Sequence, residues 1–384
     1  MKKTLFTLAV GVSAALVYAA TYENRPAVVI GNSKVIFTVL PQGTTIASVI
    51  LRDDINQLNP LWNPLRMARE AGAPREPATV ARGTGFGHFL CLDGFGSPSN
   101  DERAAGMPGH GEAHDRDFEH DGSYSDGQNI HVFSTELPLT QERVTRTMRL
   151  RDNESVLEVY TEVESLLAFD RPIFWAEHAT VGSPFLESTA TVVDFPGIKS
   201  KTRPYSPAKA GLPHRLASDK EFTWPLAPGV DGKPIDLRAA PVNPDSGDHT
   251  ASLLDPLRKL VFVTMLNTRR HLLLGYVFRA ADYPWLQNWE NYPANGKLAR
   301  GLEFSTLPYD MPRRLVVEEG KMFGTPLYRW LPAKGKINSK FLMFYTPVPA
   351  GFRKVSDVRL ADGAMTIEDA AAHLTVKLAT KAVF

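Results

Sequence analysis

Short runs in which apolar and polar side chains alternate recur along the chain, and helical periodicity is scarce. In RVTRTMRLRDNESVLEVYTEVES, Val144, Met148 and Leu150 fall on one face and Arg143, Thr145, Thr147 and Arg149 on the other. After the turn DNES, Leu157, Val159 and Val163 resume the alternation. A period of two broken by a polar turn predicts an antiparallel hairpin with one buried face. KVIFTVL and TIASVIL predict a second pair turning around Pro41 to Gly43, and LVFVTML, LLLGYVF, FLMFYTPV and AHLTVKLA predict later strands. Only NPLRMAREAG and TIEDAAAH read as short helices. Two excursions interrupt the pattern: a Gly- and charge-rich stretch from about Ser97 to Gln128, and a stretch from Pro196 to Pro244 holding nine prolines. Many short strands joined by Gly/Pro turns predict an all-β sandwich.

The first residues depart from this pattern. A cationic MKK, the apolar run TLFTLAVGVSAALV and a small-residue end at Ala19 have the layout of a secretory signal peptide, too short for a membrane span. The expectation is therefore a signal peptide over 1–19, a single exported domain over 20–384, and no membrane span after cleavage. Cys91 is the only cysteine, so no disulfide forms within the chain, and its setting in HFLCLDGF predicts a buried, inert thiol. With 43 Lys and Arg against 42 Asp and Glu, neither sign dominates. A nucleic-acid partner is not indicated, and a small or neutral ligand is. Nothing fixes the oligomeric state.

Candidate chemistry starts at GHGEAHDRDFEH, residues 109–120, with three histidines and four carboxylates. His110 and His114 have the four-residue spacing of a zinc helix, but Gly111 stands where such a helix carries its glutamate, and the flanking glycines oppose a helix. Without cysteines or a regular calcium-loop spacing, no metal ligand is assigned. His178 follows the aromatic strand PIFWAEHATVG, and Glu303 sits between Leu302 and Phe304 in ARGLEFSTLP. In YPWLQNWENYP, Trp285, Asn288 and Trp289 combine flat apolar rings with an amide, which suits a sugar ring with its C–H face and hydroxyls.

Taken in order, GHG at 109–111, EH at 177–178 and GLEFSTLP at 301–308, together with ASVILRDDINQLNPLWNP near the start, resemble the aldose 1-epimerases and their galactose mutarotase-like superfamily. The resemblance spans about Val28 to Pro347. It implies an antiparallel β-supersandwich with a carbohydrate cleft and no cofactor. It further implies that Glu303 is the general base, His178 the general acid, and His110 a hydrogen-bonding partner of the ring oxygen or a neighbouring hydroxyl. The sugar-gripping arginine of that superfamily has its nearest counterpart in Arg82. His114 and His120 are expected in solvent. The sequence departs from the superfamily pattern at Glu177, where an asparagine usually precedes the histidine, and at Phe304, where a proline usually follows the glutamate. The departures keep two alternatives open: a non-catalytic carbohydrate-binding protein on the same scaffold, or a unit related to polysaccharide lyases or glycosidases.

Overall fold

A computed structural model describes residues 20–66, 85–205 and 212–384. The segment 1–19, Arg82 and most of NPLRMAREAG lie outside these residues. The described chain is dominated by two antiparallel sheets. The larger has eleven strands. At its centre Trp175–Gly182 runs between His88–Leu92 and Ala299–Ser305, followed outward by Trp285–Tyr292, Ser246–Leu254 and Gly197–Thr202. The smaller has eight, built around Lys336–Pro347, Val156–Ser165 and Glu142–Arg151. The expected hairpin pairs Met148 with Val159 and Leu150 with Leu157, and Val35–Leu40 pairs with Thr45–Leu51 as the alternation requires.

The main core lies between the two sheets, where Val144, Met148, Val159, Trp175, Phe304 and Phe341 pack together. This is the stacking that strands with one apolar face require. Among these apolar side chains sits a fully buried ionic cluster. Arg146 of the smaller sheet grips both oxygens of Glu177 of the larger at 3.0 and 2.9 Å, and His88 Nε2 lies 2.9 Å from Glu177 Oε2. All three side chains are sealed from solvent. Cys91 is buried as expected.

The structure differs from the sequence expectation at three points. TIEDAAAH is no helix: Ala364–Asp369 is a strand that buries Met365 and Ile367. Asp369 then closes the following turn by accepting hydrogen bonds from the Arg353, Lys354 and Ala372 amides. With Asp357–Ala361 and Leu374–Ala379 this strand forms a small sheet. That sheet packs Val358, Met365 and Ile367 against Phe262, Leu342 and Phe344 on the outer face of the eight-stranded sheet. The 97–128 excursion is shorter than its composition suggests, because Glu119–Ser125 is an edge strand paired with Gln128–Leu137. The proline-rich excursion begins with a strand, Gly197–Thr202, and its later part is clamped by Arg215, which reaches buried Asp248 and Glu290. Among the described residues no helix is long and apolar enough to cross a membrane.

Candidate functional site

Strand register assembles the site. Glu177 pairs with Phe304 and Thr180 with Gly301, which sets His178 across from Glu303. Gln287 pairs with Glu303, Trp289 with Gly301, and His249 with Trp289. Because side chains alternate along a strand, these residues share the face turned away from the inter-sheet core. The face opens into a cleft of about 350 Å³ bordered by Trp62, His110, His178, Trp289, Glu303 and Asp310. That is within the roughly 300–1,000 Å³ usual for small-molecule sites.

His178 Nε2 approaches Glu303 Oε1 at 3.2 Å. The approach is not aligned as a hydrogen bond, so Oε1 is buried without a hydrogen-bond partner. On its other side His178 Nδ1 lies 2.9 Å from Thr180 Oγ1, and Phe89 stacks on the imidazole at 4.3 Å. Burial pushes the Glu303 carboxyl well above the usual carboxylate range, and Asp310 adds to the shift against a smaller opposing pull from Arg203. Burial, with His110 and His114 nearby, holds His178 well below the usual histidine range. Both shifts favour the uncharged forms, a carboxylic acid beside a neutral imidazole. Gly301 makes the arrangement possible, because a Cβ there would lie 2.1 Å from Glu303 Oε1. We expect Gly301→Ala to swing the carboxyl out of place and to lower any anomer-exchange rate by about 10²-fold with little change in melting temperature; equal loss of both would mean a folding defect instead.

His110 reaches the cleft through close backbone contact. Gly111, at φ 83°, packs so tightly on the end of the His88–Leu92 strand that a Cβ would sit 2.0 Å from the Leu92 carbonyl oxygen. The His110 amide donates to the Gly96 carbonyl at 2.9 Å, and the Gly96 amide donates back to His110 Nδ1 at 3.3 Å. With Nδ1 accepting, the neutral ring carries its hydrogen on Nε2 and is a donor there. Burial brings its pKa down to about 3, with His114 adding to the effect, so it stays neutral. Its ring lies 5.0 Å from that of His178.

A second polar group stands along the cleft. Arg203 Nη1 pairs with Asp310 and lies 3.3 Å from His249 Nδ1. His249 Nε2 lies 3.1 Å from Gln287 Oε1, and the Gln287 amide donates to Ser305 Oγ and the Leu307 carbonyl. Burial lowers the His249 pKa to about 4, so the ring is neutral; with Nδ1 accepting from the arginine, Nε2 is the donor to Gln287. Trp62 and Trp289 meet edge-on at 6.2 Å.

Of the residues singled out in the sequence, His110, His178, Glu303 and Trp289 come together in this cleft. Two do not. Trp285 shares the sheet face but is fully covered, packed with Leu253, Leu307 and Leu327. Asn288 falls on the opposite side of the strand, where it accepts from Arg300 Nε at 2.7 Å and donates to Glu290. Arg82 lies outside the described residues. His114 is buried against Phe89 and not in solvent, while His120 is half-buried and stacks on His131. Sequence reasoning missed Arg203, His249 and Asp310. His249 lies in the strand SGDHTASLL, whose polar run shows no apolar alternation, and Arg203 and Asp310 lie on irregular backbone outside any periodic run.

No protein-family model matches the chain, and no curated protein matches it by sequence. Solved structures do. A galactose mutarotase-like protein from Clostridium acetobutylicum is similar at TM-score 0.57 and 11% identity, over 84% of this chain and 95% of that one. A galactose mutarotase-like protein from Lactobacillus casei gives 0.54 and 13%, over 83% and 100%. A galactose mutarotase related enzyme from Lactobacillus acidophilus gives 0.54 and 12%, over 83% and 97%. The chain therefore has the galactose mutarotase-like fold, an antiparallel β-supersandwich, at an identity that marks a divergent version of it.

Proposed function

We propose that the protein is an exported, single-domain aldose 1-epimerase-like enzyme that interconverts sugar anomers in the cleft. The observation that carries this reading is the approach of His178 Nε2 to Glu303 Oε1 at 3.2 Å, with His110 held beside them. Anomer exchange needs one group to take the proton from the O1 hydroxyl and another to protonate the ring oxygen. The Glu303–His178 pair holds the single proton this requires. Passing it from Glu303 to His178 as substrate binds creates the base and the acid together. Glu303 then removes the O1 proton, the O–H electron pair forms the C1=O bond, the C1–O5 bond breaks, and O5 takes the proton from His178. Rotation about C1–C2 and reclosure by the same steps in reverse gives the other anomer. His110 Nε2–H donates to the ring oxygen or an adjacent hydroxyl, and Trp62 and Trp289 offer aromatic faces to the C–H surface of the ring. These steps use no cofactor.

The test is NMR of freshly dissolved pure anomers with the purified mature protein. An approach to anomeric equilibrium faster than in buffer supports the reading. Binding of sugars without any acceleration overturns catalysis and leaves a carbohydrate-binding protein on this scaffold.

A further inference from the structure

Building on the epimerase reading, we propose that the substrate is a hexuronic acid whose carboxylate is gripped by Arg203. The guanidinium is fixed before any ligand arrives. The Arg203 backbone amide donates to the His249 carbonyl at 2.9 Å, and Nη1 is committed to Asp310 and His249. His249 is itself braced by Gln287, which is tied to Ser305 and Leu307. Nε and Nη2 have no partner among the described residues, and the side chain, 24% exposed, borders the cleft. Two parallel N–H donors on a rigid, half-desolvated fork match a planar carboxylate, which accepts both; a single sugar hydroxyl uses only one.

Charge points the same way. Asp310 is already engaged by Arg203, and burial raises the Glu303 pKa, which lessens its repulsion of an anionic ligand. Arg203 is the one Lys or Arg among the described residues bordering the cleft. One partly neutralised guanidinium suits a monoanionic carboxylate better than a phosphate dianion, which wants a second cation. The chemistry of the sugar fits as well. In a hexuronic acid the carboxyl is carried on C5, the carbon bonded to the ring oxygen that must be protonated, and Arg203 and Glu303 border the same cleft of about 350 Å³. One pyranose ring can therefore engage both groups.

The experiment is anomer exchange measured by NMR for glucuronate and galacturonate, for the corresponding hexuronamides as neutral isosteres, and for glucose and galactose. We expect the uronates to exceed their amides in kcat/KM by at least roughly tenfold. Arg203→Gln should reduce the uronate value roughly ten- to hundredfold, mainly through KM, and thereby erase the preference. Asp310→Asn frees the second edge of the guanidinium and keeps its charge, so it should preserve or sharpen the preference even if Arg203→Gln folds poorly. Equal rates for uronates, amides and neutral aldoses overturn the inference and leave the epimerase reading intact. Uronate binding that Arg203→Gln weakens, with no acceleration of any sugar, supports carboxylate recognition and overturns catalysis. Neither binding nor acceleration with uronates overturns the inference, and acceleration of neutral aldoses in the same assay then decides separately whether the epimerase reading survives.

Discussion

Arg146→Met is expected to destabilise the fold by about 3–5 kcal/mol, the usual consequence of removing one partner from a buried ion pair. Glu177 would keep its place between the sheets with His88 Nε2 at 2.9 Å and the more distant Trp175 Nε1 and Tyr283 hydroxyl as its remaining partners. Burial alone would raise the Glu177 pKa, but the Arg146 charge and the His88 hydrogen bond outweigh it and hold the carboxyl below its ordinary range. Burial lowers the His88 pKa, which opposes its replacing the lost charge. The sign of the pH dependence follows. In the native chain, Glu177 contributes stability that is present above its unfolded pKa and is lost as pH falls through its depressed folded value. In the variant the folded value is raised instead, so stability is lost as pH rises above the unfolded value. Denaturant unfolding should therefore show a deficit that is large at neutral pH and shrinks toward pH 4.5. The double variant Arg146→Met/Glu177→Met should recover much of the loss, because apolar replacement of a buried pair is often neutral. A deficit that does not change with pH, or a double variant as weak as the single, would refute this account of the cluster.

This cluster also marks where sequence reading stopped. In RVTRTMRLR the buried face was read from Val144, Met148 and Leu150, and the same period of two places Arg146 on that face. Its partner Glu177 stands beside His178 in the motif, where it registered only as a departure from the superfamily pattern. Neither residue alone announces the other, because the pairing is made across two sheets, 31 positions apart. The strands were legible because alternation is a local property of the chain. The His178–Glu303 approach was legible through resemblance, and register then explains it, since the two strands pair over Glu177–Phe304 and Thr180–Gly301. The charge-rich loop at 109–120 shows the opposite limit. Composition suggested a hydrated loop around one useful histidine, yet Glu112 is buried, accepting from the Leu139 and Thr140 amides and from Arg116, and it anchors the turn that follows His110. His114 is buried beside it. Burial of polar groups depends on distant backbone donors, which no local pattern records. The same limit applies to Trp285 and Asn288. Composition suggested a ligand wall, but strand alternation turns Asn288 away from the cleft, and Phe323 and Leu327 cover Trp285.

Glu303→Gln carries the largest expected effect on activity, and its effect on stability should have the opposite sign. The amide cannot take the O1 proton or supply the proton shared with His178, so anomer exchange should fall by about 10²–10⁴-fold, the usual contribution of a positioned acid or base. In the native protein the active form holds one proton on the Glu303–His178 pair. The acid limb of the rate profile is then set by the depressed His178, and the alkaline limb by the raised Glu303. The acid limb should lie below the ordinary histidine range and the alkaline limb above the ordinary carboxylate range, and the alkaline limb should disappear from any residual activity of the variant. Stability should move the other way. The folded Glu303 pKa lies above its unfolded value, so its contribution is fully present below the unfolded value and is lost as pH rises through the folded one. A glutamine escapes that loss, fits the same space over Gly301, and leaves no carboxyl to desolvate. The variant should melt at the same temperature as the native chain near pH 4, and at a higher temperature as pH rises. Thermal melts from pH 4 to pH 9 beside NMR exchange rates would separate the two effects. A variant that loses activity and melts lower at every pH would make Glu303 a structural residue, and the base would have to be sought elsewhere in the cleft, which Asp310 also borders. A variant that is more stable and inactive would identify the strain at Glu303 as the trade of stability for function expected of a catalytic carboxyl.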